Sequence, residues 1–240
     1  PGAIGIVFNL ENEILTPEVR RAFQYIFDRE EITLAANPYA TTSYYPLLGM
    51  APSEAETYMS EEHFEALPEY SHDAAKAEEL LDTAGWKKQN WLWYDASGKQ
   101  VRLTLGTPST SDIASTAAEA AAAQLTNFGI TVDLLKSSNF YSNATAENCP
   151  YDLMLEWTDL NMSFSYPTGS YNQFSSVYSQ WIHVDRYPTD YEDAQKAGNV
   201  KLVFDGLDGD EKTYEFAAYI NSFYSVDEED LTYLVDVFNT

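Results

Sequence analysis

Apolar positions recur along the first two-thirds of the chain with two different spacings, and the changes between them mark out elements. Val19, Ala22, Phe23, Ile26 and Phe27 fall at helical spacing on an arc of about 140°, one face of an amphipathic helix. Thr16 is placed to cap that helix and Pro17 suits its first position. A second stripe, Ala74, Ala77, Leu80, Leu81 and Ala84, predicts a docking helix capped by Ser71, with Gly85 where a terminating glycine belongs. A third helix is predicted over residues 112–128, with Ile113, Ala117, Ala120, Ala121, Gln124, Leu125 and Phe128 near one face and Gly129 ending it. Alternation replaces the helical period elsewhere: Ile130, Val132 and Leu134 share one side of a predicted strand, and "PGAIGIVFNL" opens the chain as another. "WLWYDASGKQVRLTL" reads as a β-hairpin about the turn Ala96–Lys99, with Val101, Leu103 and Leu105 inward and Trp91 and Trp93 on one side. The order strand, helix, helix, hairpin, helix, strand, strand predicts an α/β fold, a mixed sheet flanked by helices.

Charge narrows the choice of partner. The 240 residues carry 13 Lys+Arg against 38 Asp+Glu, a formal net charge of −25. A field that negative repels phosphate backbones and anionic membrane surfaces, which argues against nucleic acid as a partner. Its simplest role is solubility. An apolar content of 45%, with 15% aromatic residues, is ample for a packed core. No apolar run approaches the roughly 18 residues of a membrane span.

The residues available for chemistry are few. Cys149 is the only cysteine, which excludes an internal disulfide and a cysteine-based zinc cluster. His63, His72 and His183 lack metal-ligand spacing, so neither metal nor cofactor is expected. The acidic turn around Asp205, Asp208 and Asp210 lacks the order of an EF-hand loop. There is no G-x-S-x-G, no H-E-x-x-H and no glycine-rich phosphate loop. Thirty-eight acidic residues will pair by accident, so they do not make a glycosidase, and no enzymatic activity is expected.

The arginines are distributed unevenly: three of five, Arg20, Arg21 and Arg29, lie in "VRRAFQYIFDRE". That segment resembles the V-R-x-A-apolar-x-Y-x-apolar-D-R element of the family 5 extracellular solute-binding proteins, receptors of peptide, oligosaccharide and nickel ABC importers. Val19, Arg20, Ala22, Tyr25, Asp28 and Arg29 match it position by position. "KAEELLDTAGW", Lys76 to Trp86, resembles the family's K-A-x-x-L-L-x-x-A-G-aromatic element, and "QLTNFGITVDL" its Q-L-x-x-x-G-I-x-V-x-L segment. "YDLMLEWTDL", residues 151–160, resembles a later strand that ends in tryptophan. The likeness covers roughly residues 4–160, and 161–240 match poorly.

The resemblance implies one lobe of a periplasmic-binding-protein-like type II two-lobed receptor, residues 1–240 being a single lobe excised from a longer chain. It implies a missing first lobe, a membrane ABC permease as partner and an exported, membrane-anchored parent, outside the cell or in the periplasm. In the peptide-binding branch an aspartate after the strand tryptophan pairs with the ligand's free α-amino group, and Asp159 is the candidate here. Trp157 would wall a pocket or stack on a sugar ring, or equally belong to the core. Tyr44 and Tyr45, in the loop after the first helix, are further ligand-binding candidates. A short peptide is the expected solute. An oligosaccharide, or a surface interaction role without a small ligand, is the alternative.

Overall fold

The computed structural model describes residues 3–44, 61–144, 146, 148–158, 201–205 and 211–215. Strand β1 (Ala3–Phe8) leads into helix α1 (Pro17–Ile26). Thr16 caps α1, its hydroxyl accepting from the Val19 amide, and Val19, Ala22, Phe23 and Ile26 are buried. The helix ends one residue earlier than its apolar stripe, at Phe27, because Asp28 caps a new helix. Its carboxylate accepts from the Glu31 amide at 3.0 Å, starting α2 (Arg29–Ala36). Arg29 therefore opens a helix instead of closing one. Even so, its guanidinium reaches back to the carbonyl of Gln24 at 3.0 Å, supplying the cation that the end of α1 favours.

After α3 (Glu61–Ala66) comes α4 (Ala74–Thr83), which packs on α1. Its cap is Asp73, not the predicted Ser71: the Asp73 carboxylate accepts from the Lys76 amide at 2.9 Å. The Ser71 hydroxyl turns to Glu69 instead. At the other end Gly85 takes φ +87°, and the Trp86 amide returns to the Leu81 carbonyl at 2.9 Å, the bond pattern that closes a helix on a glycine.

The predicted hairpin is displaced. Strands β2 (Lys87–Gln89) and β3 (Leu92–Tyr94) pair around Asn90 and Trp91, both at positive φ, while the Asp95–Lys99 turn closes only on a Tyr94–Gln100 bridge. Trp91 is consequently 81% exposed at the tip and Trp93 is buried, so the two do not share a side.

Strand β4 (Arg102–Pro108), helix α5 (Asp112–Phe128) and strand β5 (Thr131–Ser137) form a parallel unit. A short α6 (Phe140–Ala144) and strand β6 (Leu153–Thr158) follow. The four-stranded sheet runs β1-β6-β4-β5, with β1 antiparallel to β6 and the other neighbours parallel. Strands β7 (Lys201–Asp205) and β8 (Glu211–Glu215) make a separate antiparallel pair flanking the acidic turn. The turn's own Asp208 and Asp210 lie outside the described residues.

Helices cover both faces of the larger sheet. Leu103, Leu105, Leu153 and Leu155 meet α1 and α5 in the main core. On the reverse face Met154 packs with Phe140, Ala144 and Tyr151. Gly106 is required there, since a Cβ would lie 2.5 Å from the Tyr151 ring. Asp152 ties the strands together: its carboxylate accepts from the Thr104 amide and the Asn12 side chain, both at 2.7 Å.

Candidate functional site

The three parallel strands end at one edge of the sheet, at Pro108, Ser137 and Thr158, and antiparallel β1 begins there, opposite Thr158. Helix α5 starts from the same edge, three residues after the Ser109–Ser137 backbone bond. Open α/β sheets bind their ligands outside the carboxyl ends of their strands. Such an edge gathers loops and a helix N-terminus without interrupting the core.

Trp157 stands on this edge, 41% exposed. Alternation from Leu153 and Leu155 points it toward the α5 face, but the strand has outrun the core by that residue. Its indole Nε1 donates to the Ser111 hydroxyl at 3.2 Å, and that same oxygen caps α5 by accepting from the Ala114 amide at 3.2 Å. The large aromatic face is thus held in one orientation by the helix N-cap. Nearby in the sheet, the Thr107 hydroxyl is fully buried with no hydrogen-bond partner among the described residues. Ser115 donates to the Pro108 carbonyl at 3.1 Å, fixing the strand-to-helix turn.

Glu156, one residue before the tryptophan, was not singled out in the sequence and is 6% exposed. Tyr141 donates to its Oε1 at 2.8 Å, while Oε2 is buried without a partner among the described residues. Burial and this hydrogen bond push the Tyr141 hydroxyl up to about 12, so it remains a donor across the physiological range. The signal was present in "LMLEW": a lone acid inside an apolar strand.

Tyr44 lies elsewhere. Its hydroxyl donates to Glu30 at 2.5 Å, and that bond, with burial, pushes it up to about 12. It borders an open cleft of about 340 Å³ shared with Asp28, Arg29, Glu69 and His72. The polar groups of this cleft are mostly occupied. Arg29 donates to Gln24 and to the Tyr70 carbonyl, and His72 Nδ1 to the Ile26 carbonyl at 2.9 Å. Burial lowers the Arg29 pKa from its ordinary value, with no carboxylate needed to hold it. Asp28 is bound to Gln124, thirteen residues along α5 from Ser111, a rise of about 20 Å. The structure therefore does not bring Tyr44 and Trp157 together. Asp159 and Tyr45 lie outside the described residues. No group of three or more acidic, histidine or cysteine side chains able to hold a metal occurs among the described residues, and no described helix is long and apolar enough to cross a membrane.

The order of these elements is shared with known proteins. The family described as bacterial extracellular solute-binding proteins, family 5 Middle, matches residues 1–216. The chain belongs to that family. Its members are periplasmic or extracellular substrate-binding receptors of ABC importers. No curated protein sequence matches the chain. Among solved structures it is similar to the oligopeptide-binding protein AppA of Bacillus subtilis in complex with a nonapeptide, at 19% identity and a TM-score of 0.67, covering 99% of this chain and 42% of that one. It is also similar to a mannohexaose-bound periplasmic oligopeptide-binding protein of Thermotoga maritima, at 19% identity and a TM-score of 0.65, covering 99% and 41%. NikZ of Campylobacter jejuni in complex with Ni(L-His) matches at 19% identity and a TM-score of 0.57, covering 82% and 41%. At such identities the likeness is one of fold, that of two-lobed periplasmic binding proteins. The family 5 chain described here spans about 42% of the length of the first of these.

Proposed function

We propose that this chain is the second lobe of a two-lobed receptor that captures a short peptide for an ABC importer. The observation that carries this reading is Trp157, exposed at the carboxyl edge of the sheet and anchored to the α5 cap. An aromatic wall on a rigid strand end is what a receptor needs, and it requires no activated nucleophile. Asp159, two residues beyond, serves as the acceptor for the peptide's free α-amino group, and a charge-assisted bond of that kind gains strength when the closing lobes exclude water. The first lobe, the membrane permease and an anchored parent outside the cytoplasm complete the assembly.

Thermal denaturation with a panel of short peptides, manno-oligosaccharides and nickel tests the proposal. A ligand at 100 times its dissociation constant adds about 2.7 kcal/mol. Melting entropy grows with chain length, so on the longer two-lobed receptor that is a rise of about 2–5 °C. The full-length receptor should shift with peptides, and Trp157→Ala or Asp159→Ala should abolish the shift. The present chain alone should melt cooperatively without one, because it supplies half a cleft. A peptide shift on the chain alone would overturn the half-cleft argument. A shift with sugars only would remove Asp159 from its role and leave the tryptophan as a sugar platform.

A further inference from the structure

Glu156 makes little sense as a structural residue. It shares a sheet face with Met154, which packs into the small cluster of Phe140, Ala144 and Tyr151, and an apolar side chain would extend that cluster. In place of one there is a carboxyl group, 6% exposed, with Tyr141 on one oxygen and nothing among the described residues on the other. Ionised, that oxygen lacks a donor; protonated, its hydrogen lacks an acceptor. Neither state closes the account within the described residues.

Two neighbours leave the carboxylate approachable. Its partner across the β1–β6 ladder is Gly5, which brings no side chain to that face, and a glycine inside a strand often marks close approach by a ligand. Its hydrogen-bond partner Tyr141 is 48% exposed, so a rotamer change there connects the carboxylate with solvent. Trp157, next in the strand, points to the opposite face of the sheet and takes no part in this site. The net charge of −25 draws cationic solutes toward the molecule and repels anionic ones.

We infer that Glu156, flanked by Gly5 and oriented by Tyr141, accepts a cationic side-chain group of the bound solute, an ammonium or guanidinium. This rests on the receptor reading above and narrows it to basic peptides. The α-amino group is a separate matter, left to Asp159.

Isothermal titration of the full-length receptor with alanyl-lysyl-alanine, alanyl-leucyl-alanine and spermidine separates the possibilities, because the two peptides share their termini. The wild-type protein should bind the lysyl peptide at least tenfold more tightly than the leucyl one. Glu156→Gln should erase that preference while leaving the leucyl peptide within about twofold, and Tyr141→Phe should reduce it by a few-fold. Equal wild-type affinities overturn the inference without needing any variant to fold, and leave the peptide reading standing. A preference that survives Glu156→Gln does the same. Spermidine binding that is lost in Glu156→Gln, with no peptide bound, supports the inference and overturns the peptide reading. Binding of none of the three overturns both.

Discussion

The two ends of helix α5 are built on opposite terms. At its C-terminus the bonds are many and close on one another. Gly129 takes φ +105°, the Ile130 amide closes on the Leu125 carbonyl at 2.9 Å, and Trp93 binds the same turn through its backbone amide to Gly129 and its indole to Phe128. Gln124 clamps Asp28 from both sides, accepting from its amide at 2.9 Å and donating to its carbonyl at 3.2 Å. At the N-terminus one serine oxygen serves both Ala114 and Trp157, a large aromatic is left in solvent, and Thr107 and Glu156 keep buried oxygens without partners among the described residues. A buried polar group left unpaired costs about 1–3 kcal/mol, so two at one edge are not what stability alone would select. The closed end holds the fold. The open end is where a ligand can still supply bonds that the protein does not make for itself.

The contrast breaks first at Gly129. A Cβ there would lie 2.1 Å from the Trp91 carbonyl oxygen, at a φ that side chains rarely adopt. Gly129→Ala should cost about 3 kcal/mol or more, read as a lower urea midpoint at unchanged slope. A loss under about 1 kcal/mol would mean that the β2–β3 hairpin does not depend on this contact. Next is Gln124→Ala, which strips the Asp28 amide of its bond and leaves the Asp28 carbonyl only the Ile32 amide at 3.2 Å. The half-buried site puts the expected loss at about 1–2 kcal/mol, with peptide affinity unchanged in the folded protein. Reduced affinity at full stability would move the binding site to the wrong end of the helix.

The closed end was largely legible in the sequence, because it is made of local rules. A glycine after an apolar stripe ends a helix, and the end of α5 and the Gly85 stop followed from that. The family resemblance brought Asp28 and Arg29 to notice, but not their partners: the Gln124 clamp spans 96 positions, beyond any spacing argument. The hairpin was misplaced for a physical reason. Ala96–Lys99 has the better turn chemistry, with Gly98 at φ +83°, yet Asn90 and Trp91 accept positive φ because Trp93 gains a buried, stacked place on Phe128. Tertiary packing overrode the local preference. At the open end the sequence singled out Trp157 but left its environment undecided between pocket and core, since alternation cannot say where a strand outruns its helices. Glu156 went unnoticed, because the cost of its environment appears only once the burial is known.

The smallest expected effect separates the two ends most directly. Thr107→Val keeps the shape of a fully buried side chain and removes only a hydroxyl without a partner among the described residues. If that oxygen is idle in the fold, the variant should be as stable as the wild type or gain up to about 1 kcal/mol, since an unsatisfied group is replaced by an apolar one of the same size. A loss of stability would show that the hydroxyl has a partner, and would move Thr107 to the closed end. The informative result is a pair of measurements, denaturation and peptide affinity, on the same variant. Higher stability with weaker binding would mean that the edge trades folding energy for contacts made with the ligand. Higher stability with unchanged binding would confine the ligand to Trp157, Glu156 and the residues beyond, and would leave Thr107 as a packing defect beside the site.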